Sequence, residues 1–238
     1  MTQAEVFEYR HGSTLLEGYV AYPVGTGGRH PAVLVVHEWW GLNAYARRRA
    51  DMLADLGYTA LAVDMYGQGV HAKTAEDAQK LYAGVMGDRS FTRERIGVAL
   101  ETCRKQPHVD PTKVACLGYC MGGSVSLELA RSGADIRGAV SFHGALNTTR
   151  PAEPGAIKCP LLVLHGADDP TIPPDQVEAF RKEMDAAGAK YEFHEYVGAM
   201  HSFTNPDSNR PAEGLQYNAE ADRCSWDSMK TFLAAAFK

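Results

Sequence analysis

The sequence predicts an α/β protein with a mostly parallel central sheet and helices on both faces. Three observations carry this. Ala32-Val-Leu-Val-Val36, Thr59-Ala-Leu-Ala-Val-Asp64 and Leu161-Leu-Val-Leu-His165 are short, nearly continuous apolar runs, which suit strands buried on both faces of a parallel sheet. Segments with helical spacing alternate with them. The chain has 238 residues, enough to bury one large core, and shows no internal repeat, low-complexity tract or linker. A single domain over residues 1–238 is therefore expected.

In chain order, Val6 to Tyr9 and Leu15 to Tyr22 read as a lead-in antiparallel pair, joined through Arg10-His-Gly-Ser13. Residues 22–31, which contain Pro23, Pro31 and glycines 25, 27 and 28, form a turn-rich loop. After the 32–36 strand comes His37-Glu-Trp-Trp-Gly-Leu-Asn43. Asn43 is the N-cap expected for a helix from Ala44 to Leu56, with Gly57 as its stop. The strand from Thr59 follows. Thr74 starts a helix with Glu76 and Asp77 in its first turn, where acids favour the helix dipole. A third helix spans Phe91 to Arg104. A strand runs from Val114 into Gly118, and a helix follows Cys120. Gly138 to His143 is a strand and residues 144–160 are a connection. Leu161 to His165 is a strand, Pro174 to Ala187 a helix, and Tyr191 to Tyr196 an alternating outer strand. The final helix places Trp226, Met229, Leu233 and Phe237 on one core-facing stripe.

The net charge is −5 with no basic block, so nothing points to nucleic acid or an anionic membrane surface. No apolar run approaches the length of a membrane span, and no N-terminal signal pattern is visible. Five scattered cysteines do not form a disulfide framework, which implies a reducing, cytoplasmic setting. No C-x-x-C or H-E-x-x-H spacing occurs, so no metal is implied, and no other cofactor either. A monomer is the default expectation.

Chemistry concentrates at Gly118-Tyr-Cys120-Met-Gly-Gly123. A G-x-C-x-G string between a strand and a helix is the context of a nucleophile elbow, with Cys in place of Ser. The turn forces the nucleophile into a strained conformation, and a Cβ at the flanking positions would clash with the neighbouring strand or helix. It also sets the sulfur near a helix N-terminus, which favours a thiolate and later an oxyanion. The partners should follow in the order acid, then histidine, each just after a strand. The 161–165 strand delivers Asp168 and Asp169 into a turn, and the last strand delivers His201 in a Gly-containing loop. Cys116 lies in a strand pattern, Cys103 and Cys224 lie in helices, and Cys159 precedes a strand, so these read as packing or surface thiols. His37, His143 and His165 sit at strand ends and read as loop-stabilising.

The elbow, His37-Glu38-Trp-Trp-Gly41, Asp64-Met-Tyr-Gly67, His165-Gly-Ala-Asp-Asp169 running on to Pro173, and His201-Ser-Phe203 together resemble the dienelactone hydrolase family. That family is a Cys-dependent branch of the α/β-hydrolases, and the resemblance covers the chain from about Ala21 to the last helix. It implies Cys120 as nucleophile, His201 as general base and then acid, and Asp169 as the residue that orients His201. Asp168 is the rival acid; the spacing to Pro173 favours Asp169. The resemblance also implies an oxyanion hole of the Met121 N–H and one from the 37–39 loop, most simply Trp39. Glu38 would contact the resting thiol and help deprotonate it when substrate arrives. A carboxylate beside a thiol disfavours thiolate, which would protect the sulfur from idle oxidation.

A thiolate leaves a tetrahedral intermediate more readily than an alkoxide does. A Cys nucleophile therefore needs a good leaving group, and the expected substrates are activated small esters or lactones, cleaved through a thioester. Trp39, Trp40, Tyr66, Tyr82 and Phe203 are candidates to line an apolar pocket. The family's best-known type binds a substrate carboxylate with an Arg four residues after the catalytic His; here that position is Asn205, and Arg89 or Arg93 would have to supply the cation. The readings left beside ester hydrolysis are a thioesterase or acyl transferase on the same residues, and a non-catalytic binding or redox-sensing protein.

Overall fold

The computed structural model describes residues 2–25 and 27–238. Met1 of the expected domain and Thr26 of the expected 22–31 loop lie outside the described residues. The chain divides into two compact units, Met1–Leu117 and Gly118–Lys238.

In the first unit, β1 (Thr2–His11) and β2 (Thr14–Pro23) form the expected antiparallel pair, in register from Thr2 opposite Pro23 to His11 opposite Thr14. β1 starts four residues before Val6. Its side chains there are exposed, and backbone pairing continues without the apolar alternation by which a strand is recognised. β3 (His30–Val36) and β4 (Thr59–Val63) run parallel, Ala32 opposite Thr59 through Val36 opposite Val63, and every β4 residue is buried. Between them α1 (Ala44–Asp55) packs on β2, β3 and β4. Asn43 caps it, its side-chain oxygen accepting from Tyr45 N–H at 3.1 Å and Ala46 N–H at 3.3 Å. Thr74 caps α2 (Ala75–Met86) through Asp77 N–H at 3.1 Å. α3 (Arg89–Arg104) begins two residues before the expected Phe91, because the Asp88 carboxylate accepts from Ser90 N–H at 2.8 Å and starts the helix there. β5 (Val109–Tyr119) ends at the elbow, and the strand order in this unit is β1-β2-β4-β3-β5.

In the second unit, α4 (Met121–Arg131) is buried along its whole length, as a helix at the centre of a core must be. It packs on β6 (Ala139–Phe142), which runs parallel to β7 (Leu161–Gly166), itself parallel to β8 (Tyr191–Tyr196). α5 (Pro174–Ala187) connects β7 to β8, and its end is a left-handed Gly188. α6 (Ala219–Ala236) packs on β7. Its buried stripe differs from expectation. Met229, Leu233 and Phe237 are buried, but Trp226 is only half-buried and Ser225 and Phe232 face inward instead. The spacing 225, 229, 232, 233 is the 3.6-residue stripe, and the bulk of Trp226 drew the sequence reading one position off it. Two short strands had no sequence signal. β9 (Asn209–Arg210) and β10 (Leu215–Gln216) pair across a single 3-10 turn, Pro211–Glu213. Two-residue strands are too short to leave a periodicity.

Candidate active site

The second unit contains the elbow, both aspartates and His201. Cys120 has φ 53° and ψ −117°, a conformation that costs an L-residue of order 1–3 kcal/mol and persists only when the surroundings hold it. They do so on both sides of the residue. The Cys120 carbonyl accepts from Gly123 N–H at 3.0 Å and Ser124 N–H at 3.3 Å, while its own N–H donates to Phe142 O at 3.0 Å. The glycines are required by space. A Cβ at Gly118 would enter the Gly122 carbonyl, and one at Gly123 would lie 2.6 Å from Ser141 Oγ and 3.0 Å from Gly144 Cα. Met121, the first residue of α4, has its backbone N–H among the helix's N-terminal donors, next in the chain to Cys120.

Asp169 lies in the turn after β7, with its side chain fully shielded. Its Oδ2 accepts from His201 Nδ1–H at 2.8 Å. Its Oδ1 accepts from Thr171 N–H at 2.8 Å and Thr171 Oγ–H at 2.6 Å. Burial pushes this carboxyl up, but the hydrogen bonds and charge of His201 and the two bonds from Thr171 outweigh it and hold it below the usual carboxylate range. Asp168 is exposed, and its backbone N–H donates to Ala199 O at 3.0 Å. The structure thus brings Asp169, and not Asp168, against His201.

His201 follows β8 through a loop that turns at Gly198, φ 76°. The β9–β10 turn fixes its backbone: His201 N–H donates to Gly214 O at 3.0 Å and Gln216 N–H to His201 O at 3.1 Å. With Nδ1 engaged by Asp169, Nε2 is the nitrogen left for the Cys120 side chain, to which His201 is also hydrogen-bonded. Burial alone would lower the imidazole. The charge of an ionised Cys120 and the hydrogen bonds to Asp169 and Cys120 outweigh it and raise His201 well above its ordinary value. His201 and Asp169 are thus held together at 2.8 Å, and Cys120 acts on the same imidazole.

The other expected site residues divide. Phe203 has no exposed surface and packs edge-on to His143 and against Tyr196, so it belongs to the packing beneath the site rather than to an open pocket wall. Asn205 is buried, and its side-chain oxygen accepts from Asp207 N–H at 3.1 Å in a local turn. In the first unit Glu38 is buried and Trp39 and Trp40 are half-buried, their rings edge to face at 5.1 Å. His37 holds this loop: Nδ1–H donates to Glu38 O at 2.5 Å, and Nε2 accepts from Met65 N–H at 3.2 Å. Burial lowers His37 and suits it to this neutral role. Tyr66 OH donates to Trp39 O at 2.8 Å. Asp64 in turn accepts from the N–H groups of Tyr66 and Gly67, both at 2.8 Å, and of Glu17 and Gly69. Tyr82 and Arg93 are half-buried, and Arg89 is buried with Nη1 donating to Met86 O, across the α2–α3 junction.

The sequence gives no sign of Thr171, which donates to Asp169, or of Thr204, 2.7 Å from His143 Nε2, since both sit in turns with no spacing rule, and it reads His37 and His143 only as loop-stabilising. Cys103, Cys116 and Cys159 are buried, and burial pushes the Cys159 thiol up to about 12. Among the described residues no group of His, Cys, Asp and Glu is arranged to hold a metal, and no helix is long and apolar enough to cross a membrane.

A mostly parallel sheet with helices and a Cys elbow, with acid and histidine following in that chain order, defines an α/β-hydrolase. Solved structures agree. One named m3DLH is 36% identical, covers 100% of this chain and 99% of its own, and has a TM-score of 0.94. A dienelactone hydrolase-like promiscuous phosphotriesterase from metagenomic libraries is 36% identical over 100% of this chain and 99% of that one, with a TM-score of 0.92. Among curated relatives, a "Probable 2-oxo-3-(5-oxofuran-2-ylidene)propanoate lactonase" of Bradyrhizobium sp is 31% identical over 196 residues, 78% of this chain and 77% of that protein. The chain belongs to the dienelactone hydrolase family, whose model matches residues 16–237.

Proposed function

We propose that this chain hydrolyses small activated carboxylic esters or lactones through a covalent thioester on Cys120. The observation that carries the reading is the 2.8 Å bond between His201 Nδ1 and Asp169 Oδ2, beside a Cys120 held at φ 53° in the elbow and acting on the same imidazole. The Cys120 sulfur attacks the carbonyl carbon, its proton passing to His201 Nε2. The C–S bond forms and the oxyanion develops at the Met121 N–H. Collapse breaks the C–O bond, and His201 returns the proton to the leaving alkoxide or enolate. Water, deprotonated by His201, then attacks the thioester, the acid leaves and the thiol is restored. Asp169 holds the Nδ1–H tautomer throughout. In this proposal Glu38 helps release the Cys120 proton when substrate arrives, and the aromatic residues Trp39, Trp40 and Tyr82 favour an apolar substrate. The substrate is a small molecule, and the reading uses no cofactor.

The 36% identical phosphotriesterase favours a second reading, in which the same sulfur displaces an aryl alcohol from a phosphate triester. The donors that receive a carbonyl oxyanion would there receive a phosphoryl oxygen.

A stopped-flow burst assay with an aryl acetate tests the primary reading. The wild type gives a burst and a thioester adduct on Cys120, and Cys120→Ala gives neither. Equal turnover by both proteins refutes the mechanism. An aryl phosphate triester in the same assay tests the second reading.

A further inference from the structure

We infer that His143 is a positioning residue for the nucleophile, holding the Cys120 backbone in its strained conformation through the lone pair on Nδ1. This rests on the reading of Cys120 as nucleophile and adds to it a residue outside the Cys-His-Asp set.

His143 is the first residue after β6, 1% exposed, and itself at φ 41°. Besides its bond to Phe142 O, the Cys120 N–H points at His143 Nδ1, 3.1 Å away. A backbone N–H can only donate, so Nδ1 is the bare nitrogen and the proton is on Nε2. Nε2 lies 2.7 Å from Thr204 Oγ and donates to it. The imidazole is therefore neutral and held in one tautomer by two partners. Its ring also stands edge-on to His201, with centroids 5.2 Å apart, and edge-on to Phe203 at the same separation.

One buried ring thus touches three things the mechanism requires. It binds the N–H of the nucleophile, it packs on the ring of the base, and through Thr204 it fastens the chain segment that carries that base. The Phe142 carbonyl alone is a weaker hold. The elbow is strained at φ 53°, so an acceptor on the N–H side opposes relaxation of Cys120 toward an ordinary conformation. Relaxation would swing the sulfur away from His201 Nε2 and from the Met121 N–H together. A misplacement of that kind lowers the chemical step more than it lowers substrate binding. A ring whose only task was to fill space would depend on shape, and its removal would be repaired by any residue of equal size.

The test separates acceptor from shape. Asn places an amide oxygen near the Nδ1 position and tolerates positive φ, Gln places its polar end near Nε2 only, and Phe keeps the ring with no acceptor. Each variant is assayed for aryl acetate turnover, for burst rate and for alkylation of Cys120 by iodoacetamide, with circular dichroism as the measure of folding. His143→Phe is expected to lose about tenfold in kcat and burst rate with KM within about twofold, and His143→Asn to restore most of the loss. His143→Gln should resemble the Phe variant. If His143→Phe unfolds the protein, the Asn and Gln pair carries the comparison, since both are polar and close in size. Equal burst rates for Asn and Gln, or a Phe variant as active as wild type, overturn the role of His143. Turnover retained by Cys120→Ala would instead overturn the nucleophile assignment itself, and that control is run beside them.

Discussion

Replacing Asp169 by Asn changes one atom, and the structure determines which way the new amide must face. Asp169 Oδ1 already accepts two bonds from Thr171, the N–H at 2.8 Å and Oγ–H at 2.6 Å. The N–H cannot accept, so the amide oxygen of the variant stays with Thr171 and the NH2 faces His201 Nδ1. An N–H pointed at Nδ1 makes that nitrogen the acceptor and moves the imidazole proton to Nε2. Nε2 then carries a hydrogen toward Cys120 and cannot take the sulfur's proton. The charge-assisted bond of 2.8 Å is also lost, worth roughly 1.5–3 kcal/mol. Together with the wrong tautomer this predicts a fall in kcat of about 10³- to 10⁴-fold. Folding should lose no more than that bond, since shape and the Thr171 bonds persist. The assay is single-turnover acylation by an aryl acetate, run beside Asp168→Asn. Asp168 is exposed and takes no part in this bond, so its variant should stay within about twofold of wild type. Loss of activity in Asp168→Asn, or an Asp169→Asn variant retaining about a tenth of wild-type acylation, refutes the reasoning.

Three further outcomes follow from the same geometry. His201 is raised in the folded state, so the stability it contributes is complete below its unfolded value of about 6.5 and is lost as pH rises through the raised folded value. Asp169 is lowered, so its contribution is present above about 3.9 and is lost as pH falls through the depressed folded value. Thermal melts should therefore show the difference in Tm between wild type and His201→Asn shrinking on the alkaline side, and a pH-independent difference would contradict the shift. Gly123→Ala should cost about 1–3 kcal/mol in urea unfolding, because its Cβ would lie 2.6 Å from Ser141 Oγ and 3.0 Å from Gly144 Cα. Gly97→Ala, in α3 with no atom within 4 Å of the added Cβ, should instead stabilise by about 0.5–1 kcal/mol.

Much of this was legible in the residues. The β3 and β4 runs, the Asn43 and Thr74 caps and the Gly-flanked Cys120 are local facts: strand burial, cap chemistry and turn sterics act over a few neighbouring residues, and composition records them. For the same reason the order Cys120, Asp169, His201 could be read from strand ends. Where the signal was not local, it misled or was silent. Trp226 drew the reading of α6 off its true stripe, β9 and β10 left no pattern, and Phe203 is wholly buried beneath the site.

Fold class, the strand-to-helix elbow and the family thus came from periodicity and motif. The spacing to Pro173 favoured Asp169 over Asp168, but spacing cannot show which of two adjacent carboxylates meets the histidine. Only the turn after β7, which buries one side chain against His201 and exposes its neighbour, distinguishes them. The same holds for His143. Its meaning lies in a 3.1 Å approach to an N–H twenty-three positions earlier in the chain, and a directional bond of that kind exists only once the backbone has folded.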